Sequence, residues 1–187
     1  LRDLTLGPNM HATEPKEGKI ELIADCDGLL TIDRTRLLAL NSLGEMMIAS
    51  RHGGFSVQKG DKLAGMRVIP LVIAKEKMEE AKRVAAGAPV FQIHPFTKKK
   101  AGLITTGNEV FYGRIEDTFS PVIEKKLGAF GAAVEMHVIL ADDPAEITAV
   151  IKDMLNKEMD MVLCTGGMSV DPDDRTPAAI RATGARV

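Results

Sequence analysis

The feature that most constrains this chain is a repeated order of strand, loop and helix that begins after residue 100. Residues 101–105, 134–140 and 161–164 are apolar runs of strand length, and residues 117–128, 143–157 and 176–184 carry helical spacing. Asp143 offers an N-cap, Pro144 suits the first helical position and Glu146 stands where a capping-box acid would. Thr176-Pro177 repeats the cap-plus-proline signal, and Gly184 marks the stop. Strands alternating with helices at this spacing predict an α/β fold, a mostly parallel sheet with helices on both faces. Ala185-Arg186-Val187 reads as the approach to a fourth strand. With Leu1 in place of an initiator Met, this leads us to expect an excised piece, truncated at its C-terminus.

The first half has another texture. Residues 19–25, 45–51, 66–74 and 90–96 read as strands, with Gly53-Gly54 and Gly60-Asp61 as turns. Residues 35–43 and 75–86 read as helices. The expected organisation is a small β-rich domain over 1–97, with no chemical constellation, followed by an α/β domain over 98–187. Lys98, Lys99 and Lys100 read as a solvated linker between them.

Several function classes drop out on charge and composition. A net charge of −2 leaves no basic field for a nucleic-acid backbone. No apolar run approaches the length a membrane helix needs, and the first residues do not form a signal peptide. Cys26 and Cys164 stand in no metal or redox motif, and His11, His52, His94 and His137 are scattered. A cytoplasmic protein is expected.

Chemistry in an open α/β sheet belongs outside the carboxyl ends of its strands. Three segments fall there: Thr105-Thr106-Gly107-Asn108-Glu109, Ala141-Asp142-Asp143, and the run from Thr165 to Asp174. In the last, Gly166 and Gly167 allow close backbone approach, and Thr165 and Ser169 supply hydroxyls. Asp171, Asp173 and Asp174 would repel a phosphate unless a hard cation such as Mg²⁺ lay between. A tight turn with a helix cap accounts for the same residues, and the residues alone leave both readings open. Asp142-Asp143-Pro144 is accounted for by capping alone, and Cys164 as a buried strand residue.

Taken in order, LITTGNE at 103–109, GRIEDT at 113–118, ADDP at 141–144 and DMVLCTGGMSV at 160–170 resemble the molybdopterin-binding domain family. That family includes molybdopterin adenylyltransferases, molybdopterin molybdenumtransferases and a competence-damage-inducible branch. The resemblance covers about residues 98–187 and implies a three-layer α/β/α fold. The ligand it implies is a pterin, molybdopterin, bound at the strand ends with Mg²⁺ and an ATP or AMP moiety nearby. By position, Thr106, Gly107, Thr118, Thr165, Gly166, Gly167 and Ser169 would bind the cofactor, Asp174 and Asp171 the metal, and Asp174 with Glu109 would act in catalysis. A homo-oligomer is also implied. The TGGMSV run resembles the molybdenumtransferase loop, whereas DPDDRTP is closer to the adenylyltransferase and competence-protein loops. The expected function is therefore molybdopterin binding in molybdenum-cofactor synthesis, with a non-catalytic carrier and a nucleotide hydrolase as alternatives.

Overall fold

In the computed structural model, which describes residues 1–168 and 175–186, the backbone divides into two units, Leu1–Phe96 and Thr97–Val187.

The first unit contains α1 (Arg2–Thr5), β1 (Met10–Ala12), β2 (Lys19–Ala24), β3 (Gly28–Ile32), α2 (Arg34–Ser42), β4 (Met46–Ser50), β5 (Phe55–Val57), β6 (Lys62–Val68), α3 (Lys75–Ala85) and β7 (Phe91–Pro95). Two antiparallel sheets, ordered β1-β2-β6-β4 and β5-β3-β7, turn alternate residues inward. Leu22, Leu30, Met46, Ile48, Leu63, Met66, Phe91 and Ile93 meet there in one core, closed by Leu40 of α2 and Ala81 of α3. Asp33 caps α2, its carboxylate accepting from Arg36 N at 3.0 Å. The strand expected over 66–74 ends at Val68. Pro70 has no N–H to give a ladder, and Leu71 and Val72 are fully or largely exposed.

The second unit contains β8 (Lys99–Thr106), α4 (Asn108–Phe111), α5 (Phe119–Gly128), β9 (Ala132–Leu140), α6 (Pro144–Asn156), β10 (Met161–Thr165) and α7 (Thr176–Ala182). Its described strands form a parallel sheet ordered β10-β8-β9, with Leu103 opposite both Leu163 and His137. β8 lies between the other two and is buried from Ala101 to Thr106, the near-continuous burial expected of a strand covered on both faces. Ile104, Leu140, Ile147, Ile151, Met154 and Ala179 make a core between the sheet, α6 and α7. At Gly102 the helix comes so close that a Cβ would stand 2.4 Å from Met154 Sδ.

The start of α6 forms where the cap signal lies, Asp143 Oδ1 accepting from Ala145 N at 2.8 Å and Glu146 N at 3.3 Å. The return half of a capping box is absent, because Asp143 N donates to Ala141 O. Lys99 and Lys100 are not linker but strand: Lys99 pairs with Asp160, and Lys100 N donates to the same carboxylate at 2.8 Å. These bonds hold the Asp160 carboxyl below its usual range. Val187, the end of the expected fourth strand, lies outside the described residues.

Candidate functional site

Adjacent residues of a strand face opposite sides of its sheet, and the last two residues of β8 use that alternation. Thr105 and Thr106 are both buried. Thr105 reaches Asp117 and Ser120 at the start of α5, while Thr106 reaches Thr176 at the start of α7. The helices that follow β8 and β10 therefore lie on opposite faces, which makes the crevice between those two strands a topological switch point, the place where open α/β sheets bind ligands.

On the α5 side the carboxylate of Asp117 is saturated. One oxygen accepts from Phe119 N at 3.0 Å and Ser120 N at 3.1 Å; the other accepts from Thr105 Oγ1 at 3.0 Å and from Ser120 Oγ. Four donors fill the sites a carboxylate offers. Burial pushes the Asp117 carboxyl up, but these bonds, the Ser120 hydroxyl first, outweigh it and hold the group below the usual range. Both hydroxyl protons point at Asp117, so the oxygens of Thr105 and Ser120 can only accept from His137 Nε2, at 3.0 and 3.1 Å. That assigns the proton to Nε2. Asp117, not Thr118, caps α5, since Thr118 makes no capping bond.

On the α7 side Thr106 Oγ1 donates to Thr165 O at 3.1 Å, leaving Thr176 Oγ1 to donate to it in turn. Gly166 and Gly167 both have positive φ, +84° and +52°. A Cβ on Gly166 would lie 2.0 Å from Thr106 O, and one on Gly167 would lie 2.8 Å from Thr176 Oγ1. The loop after β10 is thus pressed against the end of β8 in a conformation that only glycine permits. Thr165 Oγ1 is buried without a hydrogen-bond partner among the described residues.

The loop after β9 completes the rim. Gly107 N donates to Leu140 O at 3.2 Å, and Asn108 N donates to Asp142 Oδ2 at 3.1 Å. Asp142 N in turn donates to Asn108 Oδ1 at 3.4 Å. Capping does not account for Asp142, as the sequence reading had it. Asp143 alone caps α6, and Asp142 turns its carboxylate to the loop of β8.

Together these loops enclose a cleft of about 510 Å³. Its lining holds Thr106, Gly107, Glu109, Thr118, Thr165 and Gly166 from the sequence-predicted set, with Thr105, Glu116, Asp117, Phe119 and Asp142 in addition. Gly167 stands behind it against Thr106 and Thr176. Ser169, Asp171 and Asp174 lie outside the described residues. Among the described lining residues there are carboxylates and hydroxyls but no Lys, Arg or His. No group of three or more His, Cys, Asp or Glu side chains among the described residues is arranged to hold a metal ion. Cys164, on β10, is a half-buried thiol whose pKa burial pushes up.

Residues 102–187 match a family model described as a probable molybdopterin binding domain. This stretch is similar to the domain of that family. A CinA-like protein of Mycobacterium marinum is 34% identical over 77 residues, covering 41% of this chain and 18% of its own length. A CinA protein of unknown function from Thermoplasma acidophilum is 30% identical over 46% of this chain and 51% of that one, with a TM-score of 0.43. The molybdopterin biosynthesis enzyme MoaB from Thermus thermophilus is 29% identical over 45% of this chain and 54% of that one, also with a TM-score of 0.43. The chain thus spans less than a fifth of the Mycobacterium marinum relative and about half of these solved chains. Among the described residues no helix is long and apolar enough to cross a membrane.

Proposed function

We propose that this chain binds molybdopterin or its adenylylated form in the cleft of its second unit and acts on it in molybdenum-cofactor synthesis, as a molybdenumtransferase-like or adenylyltransferase-like protein. The observation that carries the reading is the convergence of the TTGNE and TGG loops on one cleft at the switch point, inside the stretch that matches the family model. The site fits such a ligand in two further respects. The glycine loop leaves room only for backbone, and the buried Thr165 hydroxyl has no hydrogen-bond partner among the described residues.

Carboxylates without a lysine or arginine among the described lining oppose a phosphate on its own, so a phosphate-bearing ligand would enter with a hard cation. The donor set of Glu109 and Asp142 suits Mg²⁺, with Asp171 and Asp174 as the further acids called from sequence. Bound there, Mg²⁺ would neutralise charge on the phosphate and its leaving group. Gly166, Gly167 and Ser169 would position the ligand, and no protein nucleophile is required. Two free thiols agree with a cytoplasmic setting, and exposed Phe111, Tyr112 and Val122 with self-association.

Calorimetric titration of molybdopterin with and without Mg²⁺, followed by assays with ATP and with molybdate, tests this reading. Saturable binding with turnover supports it, and absence of pterin binding refutes it. The resemblance of the DPDDRTP run to competence-protein loops supports a second reading, hydrolysis of a nucleotide with no need for molybdopterin, and the same assays with a nucleotide alone separate the two.

A further inference from the structure

One apolar element of the cleft serves neither a phosphate nor a cation. Phe119, the first residue of α5, lines the cleft with Ile115 and Val110, yet its side chain leaves the residue 68% exposed. Its backbone is held firmly, since its N–H donates to the saturated carboxylate of Asp117 at 3.0 Å. Phe111 and Tyr112 pack edge to face at 5.2 Å, with Arg114 over the tyrosine, but Phe119 makes no ring contact among the described residues. An aromatic ring on a fixed backbone, bare toward a cleft, is a surface prepared for a flat ligand. The wall also carries Glu116, a carboxylate outside the cation's donor set, which only accepts hydrogen bonds. A ligand that satisfies both surfaces has an apolar face and an edge of adjacent N–H donors.

We propose that Phe119 is the stacking shelf of the cleft and selects a planar fused ring of the 2-amino-4-oxo-pyrimidine class, as in a pterin or a guanine. Such an edge sets an amino group beside a ring N–H, which a carboxylate accepts as a pair. An adenine edge sets its amino group beside an acceptor nitrogen, which a carboxylate repels. The choice of pterin over guanine rests on the proposed function, whereas the stacking role of Phe119 does not.

The chain contains no tryptophan and one tyrosine, so Phe119→Trp installs a single reporter on the shelf. Titrating this variant with 6-hydroxymethylpterin, GMP and AMP, with correction for absorption, should give saturable quenching by the pterin, weaker quenching by GMP and none by AMP. In parallel, Phe119→Ala should weaken calorimetric binding of the pterin by about tenfold, the scale of losing one aromatic stack, with the unfolding temperature unchanged. Unaltered pterin affinity in Phe119→Ala, or a tryptophan unquenched at saturating pterin, overturns the shelf and leaves molybdopterin binding standing. Quenching by AMP without a response to the pterin overturns the ring class and the pterin reading together.

Discussion

Removing the carboxylate of Asp117 should unlock the start of α5 and with it one wall of the cleft. Asp117→Ala deprives Phe119 N and Ser120 N of their acceptor, a cap loss of about 1 kcal/mol. It also leaves the buried hydroxyls of Thr105 and Ser120 without their shared acceptor, which costs about 2 kcal/mol more, since one of them can still turn to donate to the other. A total of about 3 kcal/mol in a unit of roughly ninety residues corresponds to a fall of about 15 °C in its unfolding temperature. Calorimetry at neutral pH checks this, and the two units allow two transitions, of which only one should move. Asp117→Asn keeps one oxygen for the amides and should lose about 1 kcal/mol. The pH dependence gives a second check. The carboxyl is held below its ordinary range in the folded chain, so its stabilisation is complete above about pH 4 and is lost as pH falls through the lower folded value. Wild type and Asp117→Ala should therefore converge in acid. An unchanged transition at pH 7, or a gap that widens toward acid, would refute the reasoning.

Gly166→Ala should cost about 3 kcal/mol from left-handed strain and collision with Thr106 O and should abolish pterin binding, whereas Gly184→Ala, with φ +94° and open space, should cost only about 1 kcal/mol; chemical denaturation compares them. Gly102→Ala should cost about 2 kcal/mol by overpacking Met154, and combined with Met154→Ala it should lose at least about 1 kcal/mol less than the sum of the two single changes, read from a double-mutant cycle. Glu109→Gln should weaken Mg²⁺-dependent binding of a phosphate-bearing pterin by about tenfold while leaving binding of an uncharged pterin unchanged, as measured by calorimetry with and without chelator.

What the sequence makes legible here is what is local. The start of α6 was readable because Asp143 and Pro144 act within their own turn. The parallel sheet followed from strand and helix spacing, since a crossover leaves its length in the chain. The first unit was harder. β1, β3 and β5 are short, and β3 pairs with β7 some sixty residues away, so no nearby residue announces it. Residues 69–73 are apolar enough to read as strand, but Pro70 takes them off the ladder.

The cleft repeats that lesson at finer scale. Two adjacent aspartates, Asp142 and Asp143, look like one capping signal, yet a cap uses a single side chain. The spare acid beside a filled N-cap was therefore the signal that could have found Asp142. No comparable signal marks His137, whose partners Thr105 and Ser120 stand 32 and 17 residues away and meet it only because alternate residues of β8 and β9 share a face. That same alternation sends Thr106 to the opposite face, so two neighbouring threonines fasten two different helices. A pair of hydroxyls at the end of a buried strand is costly unless each is bonded, and here each is bonded to a segment that frames the cleft. The strand end is thus where stability and ligand geometry are set by the same hydrogen bonds, and a change at either threonine should be felt in both.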